Sequence, residues 1–282
     1  MRSLGEVLTL SIQYLKDKKV ESPRLTAELL LAYILKKQRL DLYMQFEAPL
    51  EEMELEKFRL LLKRASLHEP VEYIVEQVDF YGCLLSVSPD VLIPRPETEI
   101  LVDKIVKEIR KEDLRDKILW DICAGSGCIG LSIKKKNPLL KVFLSDNSPK
   151  ALAVCKKNAK ENDLEVECFL GDFLTPFKGM KAHYVVCNPP YVTEEEYETL
   201  QPSVKIYEPK QALVGGERGV EFYERLAKEL PEHLAPGAKV FLELGSGQGK
   251  VLSEIFSSSF WVRKELLFDY AGHDRFFFLE IE

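Results

Sequence analysis

The sequence has little that would place it in a membrane or outside the cell. Its longest uninterrupted apolar run, Leu29–Leu35, is far shorter than a bilayer-spanning helix needs. Residues 1–20 are interrupted by charged side chains and contain no apolar stretch of the signal-peptide type. The six cysteines include no CxxC pair and show no zinc-ligand spacing with the four histidines. We therefore expect a cytoplasmic protein with no metal and no membrane partner.

An excess of positive charge is also missing. Lys and Arg number 39 against 46 Asp and Glu, which gives a formal net charge of −7. Because nucleic-acid-binding surfaces neutralise phosphates with basic side chains, this balance argues against direct nucleic acid binding. What remains is ordinary globular composition, with 46% hydrophobic and 30% charged residues over 282 positions. This length is enough for one large domain and a smaller one.

The first part of the chain is predicted to be helical. Apolar residues recur at helical spacing, glycine is nearly absent, and Ser22-Pro23 is typical of a helix N-cap followed by proline. Residues 1–72 therefore predict a small helical bundle. We interpret it as a substrate-recognition domain because it contains no constellation of reactive side chains. Residues 73–93 change to β-forming side chains around Gly82 and predict a β-hairpin linker.

Strands and helices alternate over residues 94–282. Pro96 stands near the first position of the first helix of this part. The polar segment 192–218 is predicted to be a solvated loop. The predicted strands, in chain order, are residues 118–122, 141–146, 166–170, 184–187, 239–244, 266–270 and 275–281. Alternation predicts a parallel, doubly wound α/β sheet. The last two strands are joined too tightly for a crossover helix, which predicts an antiparallel edge pair.

The first strand of this domain leads directly into a glycine-rich loop, DICAGSGCIG. Gly125, Gly127 and Gly130 satisfy the G-x-G-x-x-G pattern. Asp146 ends the next strand, where an acid can bind a ribose diol. This arrangement predicts either a nicotinamide dinucleotide or S-adenosylmethionine, and a purely structural turn is the alternative. A similar run at 243–250 leaves too few residues after it for a second nucleotide-binding sheet, and we interpret it as a late strand and its turn.

A second motif, Asn188-Pro189-Pro190-Tyr191, follows the fourth strand of the domain. Open α/β sheets bind ligands at the carboxyl ends of their strands, and proline frees the preceding carbonyl from strand pairing. The Asn188 side-chain oxygen and the Pro189 carbonyl can then accept both hydrogens of one planar NH₂ group, while Tyr191 lies against its plane. Two such acceptors localise the nitrogen lone pair and direct it at a methyl carbon. A dehydrogenase has no use for this arrangement.

The glycine-rich loop, the Asn188–Tyr191 tetrad and the run IPRPETE at residues 93–99 together resemble the PrmC/HemK family of protein-(glutamine-N5) methyltransferases. Tyr207-Glu-Pro209, followed by Ala212-Leu213, extends the resemblance, which spans the whole chain. The resemblance implies a Rossmann-like methyltransferase sheet that uses S-adenosylmethionine and leaves S-adenosylhomocysteine. It implies that the substrate is the glutamine in the Gly-Gly-Gln loop of class I peptide chain release factors. Because DNA amino-methyltransferases share the tetrad, a DNA adenine-N6 methyltransferase is the alternative.

The resemblance also implies roles for individual residues. Those expected around the cofactor are Cys123, Ala124, Gly125, Ser126, Gly127, Asp146, Asp172, Phe173 and Asn188. Within this set, the loop would surround the methionine part, Asp146 would bind the ribose hydroxyls, and Asp172 and Phe173 would hold the adenine. Those expected to receive the glutamine are Asn188, Pro189, Pro190 and Tyr191, of which Asn188, Pro189 and Tyr191 are the expected catalytic residues. Cys123 departs from the family, which usually has glycine there.

Three residues of the IPRPETE run are open to two interpretations. Arg95, Glu97 and Thr98 fit the family signature. They either contribute to the site or only begin a helix at the junction between the two domains.

Overall fold

The computed structural model describes residues 2–282, which form two compact units. The smaller unit comprises the residues up to Gln77 together with Gln201–Tyr207. The larger unit comprises Val78–Leu200 and Glu208–Glu282. One segment of the polar insertion after the tetrad therefore belongs to the helical unit, where the Tyr207 hydroxyl donates a hydrogen bond to the Leu67 carbonyl at 3.0 Å.

The smaller unit is helical, as predicted. The helices of its N-terminal part are α1 (Leu4–Asp17), α2 (Pro23–Leu35), α3 (Asp41–Met44), α4 (Glu52–Ala65) and α5 (Val71–Val75). Helix α1 begins with a capping box between Ser3 and Glu6. Ser22, which was predicted to cap α2, has a φ of 48° and its side chain makes no capping hydrogen bond. The helix nevertheless begins at Pro23, whose ring fixes a helical φ.

The remaining elements are, in chain order, β1 (Gln77–Phe80), β2 (Cys83–Ser86), α6 (Pro96–Ile109), β3 (Ile118–Ile122), α7 (Cys128–Lys136), β4 (Lys141–Asp146), α8 (Pro149–Glu161), β5 (Glu167–Leu170), β6 (Ala182–Cys187), β7 (Val192–Thr193), α9 (Glu194–Thr199), α10 (Pro202–Tyr207), β8 (Val214–Gly216), α11 (Glu221–Glu229), β9 (Leu234–Glu243), α12 (Gly249–Ile255), β10 (Arg263–Phe268) and β11 (Asp274–Glu280). In the segment 73–93, strand pairing is confined to β1 and β2, which are joined by Tyr81 and Gly82. Both joining residues have positive φ, as a two-residue hairpin turn requires.

Within the described residues, seven strands form one sheet in the order β10-β11-β9-β6-β3-β4-β5. Strands β9, β6, β3, β4 and β5 are parallel, and β10 and β11 form the antiparallel edge. The predicted doubly wound sheet with an antiparallel edge pair is confirmed. The chain passes from β3 outward to β4 and β5 and then returns to β6 on the other side of β3. Strands β3 and β6 therefore end side by side, with Ile122 opposite Cys187, and a crevice opens where the strand order reverses.

Side chains of the central strands are buried on both faces of the sheet. Trp120 and Val185 belong to one hydrophobic cluster, whereas Leu119 and Val186 belong to the cluster on the other face. Burial on both faces explains why these strands read as continuous apolar runs rather than as alternating patterns.

The polar segment 192–218 contains regular structure, so the prediction of a solvated loop is wrong. Strand β7 pairs in parallel with β8, with Val192 opposite Val214. Helix α9 begins with a capping box between Thr193 and Glu196. Pairing between two short strands about 20 residues apart leaves little periodicity in the sequence, which is why the pattern was not visible there. Across residues 2–282, no helix has both the length and the apolar composition that spanning a membrane requires.

Candidate active site

A cleft in the larger unit collects the segments that follow β3, β4, β5 and β6. It encloses about 950 Å³, counting the part that is open to solvent. The predicted site residues that line it are Cys123, Ala124, Gly125, Ser126, Asp146, Asp172, Phe173, Asn188 and Pro190. Gly127, Pro189 and Tyr191 are not among the lining residues. Gly127 is the N-cap residue of α7. The glycine-rich loop and the tetrad, which are more than 50 residues apart in the chain, are thus brought to one cleft.

The glycine-rich loop is held in place by hydrogen bonds to its backbone. Asp146, at the end of β4, accepts from the Gly125 N–H at 2.9 Å and from the Ser148 N–H at 2.8 Å. The Asn158 side-chain amide donates to the Ser126 carbonyl at 2.9 Å. Burial raises the pKa of Asp146, and the backbone hydrogen bonds partly oppose that shift. Since each carboxylate oxygen has more than one acceptor site, Asp146 can also accept from ligand hydroxyls.

Cys123 has a backbone conformation that glycine usually supplies. Its φ is 61°, in the left-handed region, which costs a non-glycine residue about 1–2 kcal/mol. The half-buried side chain packs against the hydrophobic cluster on its face of the sheet. Burial and a hydrogen bond with Cys123 raise the pKa of the neighbouring Cys187 thiol. The thiol is therefore accommodated, while the backbone retains the turn that the loop needs.

An arginine that the sequence did not single out supports the segment after β5. One guanidinium nitrogen of Arg225, in α11, lies 2.8 Å from Asp172 Oδ2. The same guanidinium lies 4.8 Å from the ring centroid of Phe173, within cation–π range. Phe173 is buried and has a φ of 53°, so its backbone is in an uncommon conformation that these contacts help to maintain. Arg225 thus orients both residues that were expected to hold an adenine.

The tetrad is fixed from behind by the turn at residues 243–250. The Gln248 side-chain amide donates to the Tyr191 carbonyl at 3.1 Å and to the Gly219 carbonyl at 3.2 Å. Its oxygen accepts from the Gly245 N–H at 2.9 Å. This run is a strand end and its turn, as predicted, and it also anchors the tetrad. Burial raises the pKa of the Tyr191 hydroxyl to about 12, so this side chain is neutral at physiological pH.

Two glycines allow another segment to pack directly on the tetrad backbone. A Cβ atom added at Gly215 would lie 2.2 Å from the Pro190 carbonyl oxygen. A Cβ atom added at Gly219 would lie 2.3 Å from the Tyr191 carbonyl oxygen, and Gly219 has a φ of +70°. The chain from β8 to α11 can therefore form the wall of the tetrad only because both positions lack a side chain.

The IPRPETE run is tied to the YEP run by a buried carboxylate. Arg95 lies 2.6 Å from Glu208 Oε1, and the Ile93 N–H donates to Glu208 Oε2 at 3.2 Å. Arg95 and Thr98 line the cleft, whereas Glu97 does not. Two of the three residues whose role was open in the sequence therefore border the site.

Several further residues of the cleft carried no sequence motif. Among these lining residues are Val91, Leu92, Ser145, Asn147 and Phe222. The Ser145 hydroxyl is buried and has no hydrogen-bond partner within residues 2–282. A buried polar atom without a partner in a cleft is a ready contact for a polar ligand group. These residues come from separate strands, helices and loops, so only the folded chain brings them together.

Comparison with known proteins matches both units. The family model of the PrmC N-terminal domain matches residues 6–75, and that of the methyltransferase small domain matches residues 96–216. A release factor glutamine methyltransferase of Chlamydia trachomatis serovar D is 40% identical over 277 residues, which cover 98% of this chain and 94% of that protein. A release factor glutamine methyltransferase of Bacillus cereus is 38% identical over 259 residues, covering 90% of this chain and 92% of that protein.

A solved structure also resembles the fold. A methyltransferase from Pyrococcus furiosus superposes with a TM-score of 0.53 at 18% identity, covering 80% of this chain and 98% of that chain. At this identity, the likeness shows the fold alone.

The close packing at Gly219 predicts a stability effect. Gly219→Ala should destabilise the protein by about 1–3 kcal/mol more than Gly272→Ala, because the new methyl group overlaps the Tyr191 carbonyl. Gly272 is the matched control, since it has a φ of +85° with nothing within 4 Å of an added Cβ. Urea unfolding of both variants measures the difference. Equal losses of unfolding free energy would show that the wall of the tetrad is not closely packed.

Proposed function

Because the chain belongs to the release factor glutamine methyltransferase family, we propose that it methylates the side-chain amide nitrogen of the glutamine in the Gly-Gly-Gln loop of class I peptide chain release factors. The methyl donor is S-adenosylmethionine. The observation that carries the proposal is the position of Asn188 in the same cleft as the glycine-rich loop. The relatives at 40% and 38% identity, which cover nearly the whole chain, support it.

The chemistry of the cleft suits S-adenosylmethionine. When bound, this molecule supplies an electrophilic methyl group on its sulfonium sulfur. The backbone of Cys123–Gly127 would hold its methionine part, and Asp146 would accept from the ribose hydroxyls. Asp172 and Phe173, which both line the cleft, would hold the adenine. Two carboxylates at the ends of neighbouring strands match the hydroxyl and amine donors of a nucleoside, and the partnerless Ser145 hydroxyl supplies a further polar contact.

The tetrad would prepare the substrate nitrogen for attack. An amide nitrogen is a weak nucleophile because its lone pair is delocalised into the carbonyl group. Asn188 Oδ1 and the Pro189 carbonyl would accept the two N–H hydrogens, which holds the nitrogen in place and favours the localised lone pair. Tyr191, which stays neutral, would contribute a flat surface rather than a charge. The residues would thus act by orientation and electrostatics, and no strong base is needed.

A protein substrate agrees better with the chain than DNA does. The net charge is −7, and the relatives at 40% and 38% identity are named release factor glutamine methyltransferases. A DNA adenine-N6 methyltransferase would share the tetrad but would need basic side chains to bind phosphates. We therefore propose no direct nucleic acid partner and no membrane partner. A cytoplasmic location follows from the proposed substrate, since release factors act on ribosomes.

The first prediction of this proposal concerns the substrate. Incubation of an unmethylated class I release factor with the protein and S-adenosylmethionine should add one methyl group to the glutamine of the Gly-Gly-Gln loop. Tandem mass spectrometry locates that methyl group. A release factor with alanine in place of this glutamine is the control and should stay unmodified. Comparable labelling of duplex DNA under the same conditions would contradict the proposal and favour the adenine methyltransferase.

The second prediction separates the roles of two residues. Asn188→Ala should lower kcat by roughly 100-fold, or about 3 kcal/mol in the barrier, because one of two acceptors for the substrate NH₂ is lost. Its affinity for S-adenosylmethionine should change by less than about threefold. Asp146→Ala should instead weaken S-adenosylmethionine binding by about tenfold or more, since it loses the ribose contact and an anchor of the loop.

Calorimetry and steady-state kinetics measure the two effects. Asp116→Ala is the control, because this exposed carboxylate pairs with Lys141 and is not part of the cleft. Near-normal turnover of Asn188→Ala at saturating S-adenosylmethionine would rule out the proposed role of the tetrad.

A further inference from the structure

A buried glutamate lies at the end of β9, next to the tetrad, and has no role in the proposed reaction so far. Glu243 is 1% exposed. Burial raises the pKa of its carboxyl group to about 7, although hydrogen bonds from Thr98 and Asn188 and the charge of Arg275 act in the opposite direction. A buried acid is costly to keep in a protein interior unless it makes specific polar contacts. The polar contacts of Glu243 therefore indicate its role.

Strand register places Glu243 beside Asn188. Strands β6 and β9 are parallel neighbours, and Cys187 lies opposite Leu242. Asn188 is the first residue after β6, and Glu243 is the last residue of β9. The paired ends of the two strands therefore bring these residues close together.

The backbone of Glu243 and one of its carboxylate oxygens are both fixed. The Thr98 hydroxyl, itself 2% exposed, donates to Glu243 Oε2 at 2.8 Å. The Tyr223 hydroxyl donates to the Glu243 carbonyl at 2.7 Å. Thr98 belongs to the IPRPETE run, so that signature segment supports the glutamate directly.

The Asn188 side chain is a neighbour of this fixed carboxyl group. A hydrogen bond from the Asn188 side chain lowers the pKa of Glu243, as a donor to a carboxylate does. Only the Nδ2 amino group of an asparagine side chain can donate. With Nδ2 directed at Glu243, the side-chain oxygen Oδ1 must point the other way.

We propose that Glu243 is a positioning residue that fixes the Asn188 side-chain amide with Oδ1 available to the substrate and Nδ2 held away from it. The inference rests on the proposed function, in which Oδ1 accepts a hydrogen from the glutamine NH₂ group. A rotation of the Asn188 amide by half a turn would place Nδ2 against the substrate amine and Oδ1 against the Glu243 carboxyl group. With Glu243 ionised, both new contacts would be unfavourable, so the carboxylate selects the productive orientation. A protonated carboxyl group can donate to Oδ1, so the selection weakens as the pH falls below the pKa of Glu243.

Three variants test the inference. Glu243→Met removes both acceptor oxygens at similar volume, Glu243→Gln keeps one acceptor oxygen, and Thr98→Val removes the hydroxyl that holds Oε2. Glu112→Met is the matched control, because Glu112 also accepts from a side-chain hydroxyl, that of Tyr184, and lies outside the cleft. Each variant is the full-length protein, and its concentration is corrected for the fraction that binds S-adenosylmethionine in calorimetry.

The expected result is a loss of kcat without a loss of binding. Glu243→Met should lower kcat by about 100-fold, because an Asn188 Oδ1 atom that points away from the substrate NH₂ group cannot accept its hydrogen. Its KM for the release factor and its affinity for S-adenosylmethionine should stay within about threefold of the wild type. The kcat of Glu243→Gln should be at least about tenfold higher than that of Glu243→Met. The kcat of Thr98→Val should lie between those of these two variants. Glu112→Met should keep the wild-type kcat per binding-competent molecule.

A readout that does not depend on activity accompanies the kinetics. In the wild type, the Asn188 side-chain NH₂ resonances, assigned by their loss in Asn188→Ala, should show one proton shifted by the hydrogen bond to the carboxyl group. That shift should disappear in Glu243→Met and persist in Glu112→Met. If the wild type shows no methyl transfer to a release factor, the proposed function fails, whereas the NMR comparison still decides whether Glu243 holds Asn188.

Three results would overturn the inference. One is a kcat of Glu243→Met within about threefold of the wild type. Another is a parallel loss of kcat and S-adenosylmethionine affinity in Glu243→Met and Glu243→Gln alike, which would indicate a merely structural role. The third is an unchanged Asn188 NH₂ spectrum in Glu243→Met.

Discussion

The parallel pairing of β3 with β6 is the constraint on which the rest of the site depends. Because these strands are neighbours and Ile122 lies opposite Cys187, the segments that follow them emerge at the same point of the sheet edge. One segment is the glycine-rich loop and the other is the tetrad. Both strands are buried on both faces, so the two segments start from the most rigid part of the fold. The distance between a methyl donor and its acceptor would thus be set by the sheet.

Buried and half-buried polar side chains then fix each loop at the cleft to another segment. Asp146 holds the glycine-rich loop, Gln248 holds the tetrad, and Glu208 holds the IPRPETE run. Each of the three makes a hydrogen bond with a backbone group of the segment that it holds. Glycine at positions 215 and 219 lets one more segment close over the tetrad. The loops at the cleft are therefore ordered by polar contacts, as a site that acts through orientation requires.

Much of this arrangement could be predicted from the sequence. Strands β3 and β4 were predicted with their observed bounds because continuous apolar runs followed by glycine or acidic residues mark buried parallel strands. The glycine-rich loop and the tetrad carry motifs with a clear chemical meaning, and the α/β alternation placed them at one edge of the sheet. Elements were predicted most accurately where a local sequence pattern coincides with burial of the same residues.

Features that depend on distant partners could not be predicted. The order of the segment 192–218 arises from pairing of Val192 with Val214 and from packing at glycines, neither of which leaves a local pattern. Arg225 acts on Asp172 from a helix about 50 residues later, and such an arginine looks like any surface charge in the sequence. Ser22 had the residue type of a helix cap, but its left-handed backbone turns the side chain away from that role.

The central claim is that the cleft presents a glutamine side-chain amide to a methyl donor through Asn188 and Pro189. A crystal structure of the protein with S-adenosylhomocysteine and a peptide containing Gly-Gly-Gln tests it most directly. The account predicts S-adenosylhomocysteine against the glycine-rich loop, and the glutamine amide within about 3 Å of both Asn188 Oδ1 and the Pro189 carbonyl oxygen. A glutamine side chain bound away from these two acceptors, with the cleft otherwise filled as predicted, would contradict it.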